Sequence, residues 1–503
     1  MELTILLFLS SGLFLGWSLG ANDAANVFGT AVGSRMVRFG SAAVICGVFV
    51  ILGAVIAGAG PAHGLGQLGA VNTLAGAFVV ALAAALTVYA MTKLGLPVST
   101  TQAVVGAIVG WNLFSGSPTN LTALARIVGT WISGPILGAL AAFLLYRALR
   151  GLASHTRIHM LWRDLFARIG LIAAGALGAY SLGANNVANV VGVFVPSSPF
   201  VPLDVLGAFQ LSPGQLLFLL GGIAIAVGVF YSRRVMLTVG RELLPVSPLA
   251  AWVVVVSQSL VLLLFSSTTL RQLIADAGLP PPPLVPVSSS QAVVGAVMGI
   301  GLAHGLKGIR QVKWAVLGHI AAGWVATPVL AAIGCFVLLF FLQNVFQQQV
   351  HQELRYRLGA EALERLRQQE VPVGELQPIA GHVIPGRTAF LEALRSRRQL
   401  PGPEEDKVLA AAELHPMRIA PARLGVLDPA LLDADQIAAV RSLEGQAFDH
   451  KWQLAEALAR AHVSWRPRPE APHHALFNER LRDRLDYLYW TFRIPVGASP
   501  HAP

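Results

Sequence analysis

Acidic side chains are nearly absent from the first 342 of the 503 residues, which hold only Glu2, Asp23, Asp164, Asp204, Glu242 and Asp276. Over the whole chain charged residues make up 12%, about half the share of an ordinary soluble domain. Cysteine is almost missing as well. Cys46 and Cys335 both lie inside apolar runs, which excludes a disulfide framework and a thiolate metal site and leaves packing as their role. No G-x-x-x-x-G-K-[ST] phosphate loop occurs, so any work the protein does draws on an ion gradient rather than on nucleotide hydrolysis. The first apolar run has no basic stretch before it and no small-residue cleavage site after it, and it reads as an uncleaved membrane span.

Hydrophobic residues make up 54% of the chain and there are 50 glycines. This composition excludes a disordered chain and argues against a soluble globular protein. The formal net charge of +10 would suit a nucleic-acid binder if the bases clustered on a polar surface. They do not. Residues 1–342 hold 16 of the 36 Lys and Arg and six of the 26 acids, so the remaining 20 bases and 20 acids leave residues 343–503 neutral. The whole excess belongs to the apolar part, where bases punctuate runs of about 20 residues, the length that crosses roughly 30 Å of hydrocarbon.

Those runs lie at approximately 3–20, 41–60, 72–92, 97–115, 121–146, 169–195, 213–232, 247–268, 285–305 and 314–342. With the N-terminus outside, 14 of the 16 bases fall in inner connections, including Arg35, Arg38, Lys93, Arg147, Arg157, Arg241, Lys307, Arg310 and Lys313. Only Arg126 and Arg271 fall outside, as expected for a multi-pass protein of the cell (inner) membrane.

Gly20-Ala-Asn-Asp-Ala-Ala-Asn26 recurs as Gly183-Ala-Asn-Asn-Val-Ala-Asn189. Pro97-Val-Ser-Thr-Thr-Gln-Ala-Val-Val-Gly-Ala107 recurs as Pro286-Val-Ser-Ser-Ser-Gln-Ala-Val-Val-Gly-Ala296. Trp131 and Pro135 recur as Trp324 and Pro328. In the charge-derived topology both main motifs change direction across the membrane between copies, which predicts inverted repeats with a substrate site where they meet. Structural duplication alone is the plainer reading, but the repeated segments are the polar ones, which a scaffold has least reason to place in hydrocarbon. The expected fold is an all-α polytopic membrane protein of about 10–12 membrane segments with broken helices or re-entrant hairpins. Its transporter domain covers 1–342, with repeat one over about 1–150 and repeat two over about 165–342. A mostly helical soluble accessory domain follows over 343–503. The start of that tail, roughly Gln343 to Gln369, reads as a charged helix continuing the last span, and Lys451–Ala461 and Asn478–Trp490 read as later helices.

Asp23 is the one acid well inside a span, so it should be paired, protonated or lining a cavity. Asn22, Asn26, Gly20 and Gly29 around it suggest an interrupted helix whose freed carbonyls, with the carboxylate, suit a hard cation such as Na⁺. The plainer reading is an Asp that caps the second half-helix. Ser99-Thr100-Thr101-Gln102 and Ser288-Ser289-Ser290-Gln291 have capping-box spacing. Two further hydroxyls in each copy exceed what capping requires. Buried half-helix starts rich in hydroxyls make an oxyanion site without Lys or Arg.

These doubled motifs resemble the signature of the inorganic phosphate transporter family, the phosphate permeases and sodium–phosphate symporters, over residues 1–342. The resemblance implies an inverted-repeat fold and cation-coupled phosphate uptake, with no cofactor beyond a coupling Na⁺ or H⁺. It places Asp23, Asn22, Asn185 and Asn186 near the cation, Asp23 being the metal ligand if sodium is used. Asn26, Ser99, Thr100, Thr101, Gln102, Asn189, Ser288, Ser289, Ser290 and Gln291 are placed around phosphate. Asn186 stands where the family usually has Asp, and Gln102 and Gln291 where many members have His. The loss of a carboxylate opens fewer coupling ions, or protons, as alternatives, and the Asn-Asn form also resembles the related sulfate permeases. Expected partners are phosphate, with sulfate as the alternative, and the lipid bilayer. A homodimer is left open, and nucleic acid is excluded.

Two other readings compete. Gly16-Trp-Ser-Leu-Gly20 matches the G-x-S-x-G of a serine hydrolase, with His304 as base, but Ser18 lies in an apolar helical run rather than a strand-to-helix turn. A channel also explains polar groups in mid-membrane, although paired broken helices favour alternating access. The tail's eight histidines are scattered without ligand spacing and read as solvated surface.

Overall fold

The computed structural model describes residues 3–69, 71–93, 98–155, 160–197, 200, 203–205, 209–238, 247–305, 314–397, 400–425, 427, 431–469 and 474–494. Pro97, Arg157, Arg241, Lys307, Arg310 and Lys313, on which part of the motif and charge reading rests, lie outside the described residues. The chain forms two compact units, residues 1–114 with 118–350, and residues 115–117 with 351–503.

The first unit is built from α1 (Leu3–Gly33), α2 (Phe39–Ala57), α3 (Ala59–Gly66), α4 (Leu74–Lys93), α5 (Thr100–Ser115), α6 (Leu121–His155) and α7 (Met160–Val191), followed by α8 (Pro213–Val229), α9 (Arg233–Thr238), α10 (Pro248–Ser266), α11 (Thr268–Asp276), α12 (Ser289–Ala303) and α13 (Trp314–Asn344). Local sequence sets the starts. Ser212 and Gln215 form a reciprocal capping box with Pro213 in the first turn of α8, and Ser247 caps α10 ahead of Pro248. Among the described residues, seven helices are long and apolar enough to cross a membrane: α1, α2, α4, α6, α7, α10 and α13. The other apolar runs of the sequence became the shorter α5, α8 and α12. With 16 and 15 residues, α5 and α12 reach only about 24 and 22 Å, short of a roughly 30 Å hydrocarbon layer.

Burial runs opposite to that of a soluble protein. Exposed positions carry Leu, Ile and Phe, such as Ile56, Ile132, Ile136, Leu144, Ile333 and Phe340, while the interior holds Ala, Val and buried Asn, Ser and Gln. An outside of this kind suits acyl chains. The inside lets helix backbones approach closely, and glycine does most of that work. A Cβ at Gly20 would overlap the carbonyl oxygen of Ile225, and one at Gly228 that of Trp17, so α1 and α8 touch backbone to backbone. The same arrangement joins α2 to α7, where Gly53 meets Tyr180 and Gly183 meets Val50. Gly106 and Gly110 of α5 seat on the carbonyls of Pro328 and Ala332, and Gly295 and Gly299 of α12 on those of Pro135 and Ala139. Each crossing made by one sequence copy on the other is thus returned with the roles exchanged, the signature of a two-fold relation between copies. The paired prolines supply the receiving surface for the paired short helices.

Two expectations need correction. α1 and α7 run unbroken through Asn22–Gly29 and Asn185–Asn189, so the Asn/Asp motif does not interrupt its helix. Gly20 serves close approach to α8 rather than a break, and the broken elements are those that begin at the Ser/Thr motifs. Nor does the last span continue as a charged helix over Gln343–Gln369. α13 stops at Asn344, Gln347 adopts φ of 54°, and helix resumes only at Ala360–Gln368. The intervening chain folds back, and the buried Val350 offers its carbonyl to Thr73 Oγ1 at 2.6 Å and to Trp111 Nε1 at 3.3 Å.

The second unit has two small cores. Tyr356, Leu366, Phe390 and Val408 gather around a strand, Arg355–Tyr356, held between the antiparallel strands Ile384–Pro385 and Glu413–Leu414. Met417, Val440, Leu458, Trp465 and Phe492 form the other core, with helices Lys451–Ala461 and Ala475–Phe492 where the sequence placed its last helical segments. Arg357 pairs with Asp449 and Arg365 with Glu456, tying the two cores together.

The crossings give a direct test. Gly183→Val drives a branched side chain into a backbone carbonyl, an overpacking expected to cost about 1–3 kcal/mol or more, and should lower the apparent Tm in detergent by several degrees. Gly129→Ala, on an exposed face of α6 with open space around it, should leave the melting curve unchanged or raise it slightly. Equal melting of the two variants would contradict the close-approach role.

Candidate functional site

The two motif types meet where α1, α7 and the first turns of α5 and α12 come together. Asp23 is 2% exposed. Its Oδ2 accepts from Ser289 Oγ at 2.8 Å and from Asn186 Nδ2 at 3.1 Å, and its Oδ1 accepts a long bond from Asn22 Nδ2 at 3.4 Å. Donors from α1, α7 and α12 thus converge on one carboxylate, which stabilises a charge that burial alone would disfavour. No Lys or Arg is among these partners.

Asn185 has a different task. Its Nδ2 donates to the carbonyl of Val287 at 2.7 Å and its Oδ1 accepts from the Val287 N–H at 2.8 Å, so the side chain pairs with an extended backbone as a neighbouring strand would. This fixes the residue just ahead of α12. The same Nδ2 donates to Asn186 Oδ1 at 2.7 Å, which turns the Asn186 nitrogen toward Asp23. In this structure Asn186 therefore meets Asp23 as a donor rather than as a second oxygen ligand.

The helix starts resolve the capping question. Ser288 Oγ accepts from the Gln291 N–H at 3.3 Å and Ser99 Oγ from the Gln102 N–H at 3.4 Å, so the first hydroxyl of each motif is a cap. The hydroxyls that follow are additional: Ser289 reaches Asp23, and Thr101 Oγ1 accepts from Asn189 Nδ2 at 2.9 Å. Gln102 Oε1, Gln291 Oε1 and Asn189 Oδ1 are buried acceptors that have no hydrogen-bond partner among the described residues. Asn26 and Ser290, the two-fold counterparts of Asn189 and Thr101, are partly exposed. One half of the site is sealed and the other reaches the surface.

Capping hydroxyls, free first-turn amides and dipole ends offer donors to an oxyanion, while Asp23 and the unpaired amide oxygens offer ligands to a hard cation. The match to known proteins identifies the family. Residues 19–280 and 283–401 match the model of the phosphate transporter family. The chain belongs to that family. Relatives named as phosphate permeases include one from Pyrococcus horikoshii, 28% identical over 406 residues that cover 65% of this chain and 95% of the other. Another, from Methanocaldococcus jannaschii, is 28% identical over 67% of this chain and 97% of its own. Inorganic phosphate transporter 2-1 of Arabidopsis thaliana is 24% identical over 66% and 71%. Among solved structures, a sodium-dependent phosphate transporter superposes with a TM-score of 0.54 at 24% identity, covering 68% of this chain and all of the other, and so shares the fold.

Within this phosphate transporter family member the family match runs to residue 401, beyond the boundary at 342 that the motifs suggested. The hydrolase reading falls. Ser18 sits inside the continuous α1, and His304 is engaged by Tyr146 Oη at 3.1 Å and by the Ile300 carbonyl at 2.9 Å. The relatives carry transporter names, and the protein is not an enzyme. The resemblance placed Asn185 near the cation, and the structure shows its side chain clamping the Val287 backbone.

Asn185→Ala should leave the Val287 N–H and C=O buried without partners. The expected loss is about 1–3 kcal/mol, read as a lower apparent Tm in detergent, together with a smaller upward shift of Tm on adding phosphate. An unchanged phosphate-induced shift would show that Asn185 does not position the start of α12.

Proposed function

We propose that this protein imports inorganic phosphate across the cell (inner) membrane by alternating access, driven by a Na⁺ or H⁺ gradient. The observation that carries the reading is the convergence of one buried carboxylate, Asp23, with two helix starts rich in hydroxyls and free of Lys and Arg. A permanent cationic side chain would hold phosphate too firmly for release. Neutral donors with a transient cation let binding strength rise and fall with the ion. The charge-derived topology makes the copies inverted about an axis in the membrane plane, so the two-fold exchange of helix crossings supports a rocking motion around a fixed site. The sealed Asn189–Thr101 half and the partly exposed Asn26–Ser290 half fit one of the two states that such a motion requires.

Phosphate is favoured over sulfate by proton chemistry. Monohydrogen phosphate carries an O–H that needs an acceptor, and the site offers Asp23 and unpaired amide oxygens, whereas sulfate presents acceptors only. Purified protein in liposomes should accumulate labelled phosphate under an inward Na⁺ or H⁺ gradient, with excess sulfate competing weakly. Uptake no faster than in empty vesicles under every gradient would reject the proposal, and equal competition by sulfate would shift it to the sulfate alternative. Asp23→Asn keeps the shape and removes the charge, and it should abolish gradient-driven accumulation. Unchanged accumulation would remove Asp23 from the coupling role.

A further inference from the structure

Between α4 and α5 the first copy has only residues 94–99, but between α10 and α12 the second copy has residues 267–288. The longer connector carries α11, a nine-residue helix for which the shorter one has no room. α11 begins at a change of direction. Ser267 is extended, with φ of −83° and ψ of 113°, so it ends α10, and its Oγ accepts from the Leu270 N–H at 3.1 Å to cap the new helix. Leu270, Leu273, Ile274 and then Ala277 recur at the i, i+3, i+4, i+7 spacing of a single stripe. Thr268, Gln272 and Asp276 hold the opposite face, where Gln272 Nε2 donates to Asp276 Oδ1 at 2.8 Å. The fold leaves the stripe uncovered. No residue of α11 is buried, Leu273 is 61% exposed, and none of its apolar side chains joins a core formed by the described residues.

Position identifies what covers it. α10 has 19 residues and is about 28 Å long, close to the roughly 30 Å of hydrocarbon it crosses, so its end at Ser266 lies at a membrane surface, the outer one in the charge-derived topology. The lipid-facing surface of α10, which includes the exposed Leu260, ends where α11 begins. Arg271 and Asp276 are the only charged residues of α11 and are opposite in sign, so attachment rests on apolar area rather than on attraction to an anionic partner. The connector then returns to the protein. Val285 N–H donates to the Phe265 carbonyl at 3.2 Å, Leu284 lies against Gly60 and Gly64 of α3, and Val287 is held by Asn185. The surface helix and the start of α12 are thus parts of one loop.

We propose that the apolar stripe of α11 docks into the interface of the phospholipid bilayer and anchors there the connector that leads into α12. The test uses the full chain in vesicles of neutral phosphatidylcholine, with an environment-sensitive fluorophore on Leu273→Cys, on Ala277→Cys or on Gln272→Cys. Cys46 and Cys335 are buried, so the introduced thiol takes the label. Lipid brominated in its acyl chains should quench the labels at 273 and 277 about threefold more than the label at 272, and aqueous iodide should quench in the reverse order. Ala277→Cys reads the stripe without removing a leucine, and adding Leu273→Glu to it should expose that label to iodide. Equal access of iodide to both faces overturns the docking, as does shielding at 277 that survives Leu273→Glu. Shielding that disappears when the protein is diluted in lipid overturns it in favour of a second copy of the chain, and shielding that requires anionic lipid overturns its apolar basis.

Discussion

A helix that begins inside a hydrocarbon layer has no water for its first-turn N–H groups, and the rest of the transporter unit follows from that constraint. α5 and α12 are such helices, too short to cross and buried at their starts. Ser99 and Ser288 satisfy one N–H each, and Asn185 holds the chain that enters α12. On the proposed reading, the remaining donors, with Thr100, Thr101, Ser289 and Ser290 around them, are what phosphate uses. The short helices in turn need rigid seats, which the paired contacts of Gly106 and Gly110 on α13 and of Gly295 and Gly299 on α6 provide. Function and fold here share one solution to an unsatisfied backbone.

The copies are alike in backbone and unlike in charge. Asp23 faces Asn186, so the first copy has a carboxyl where the second has a neutral amide. At about 6 Å and an effective dielectric of about 20, a carboxylate and a divalent anion still repel by roughly 5–6 kcal/mol. Hydroxyl and amide donors offset part of this, and a cation entering with the anion offsets the remainder. On the proposed reading, coupling follows from electrostatics, each ion offsetting the charge of the other. Asn186 donates to Asp23 and so holds the acid in place.

Much of this was legible in the sequence because duplication writes each constraint twice. The doubled Asn/Asp and Ser/Thr motifs named residues that the structure brings together, and the weak Trp131/Pro135 and Trp324/Pro328 pair lies on the surfaces where the short helices sit. Lys451–Ala461 was readable from its own helical pattern, independent of tertiary context. What was not legible depended on contacts between distant segments. Gly20 looks like a helix breaker beside two asparagines, yet the approach of α8 makes it a packing residue inside an unbroken helix. Residues 343–369 have a charged helical composition, but the carbonyl of Val350 finds Thr73 and Trp111, and the chain turns at Gln347 to reach them.

The tail shows where family membership ends. Its first core, around Tyr356, Phe390 and Val408, falls largely within the family match, which closes at residue 401, while the core around Met417, Trp465 and Phe492 lies wholly beyond it. The bonds from Arg357 to Asp449 and from Arg365 to Glu456 join a part that matches the family to a part that does not. Exposed ion pairs of this kind contribute little stability singly, so the junction depends more on the shared apolar contact of Trp452, which packs against the first core from the helix Lys451–Ala461. A side chain from outside the matched region thus helps to complete a core inside it. The second core is an extension of the first, and the transporter's polar site, set wholly by residues of the first unit, is built without either.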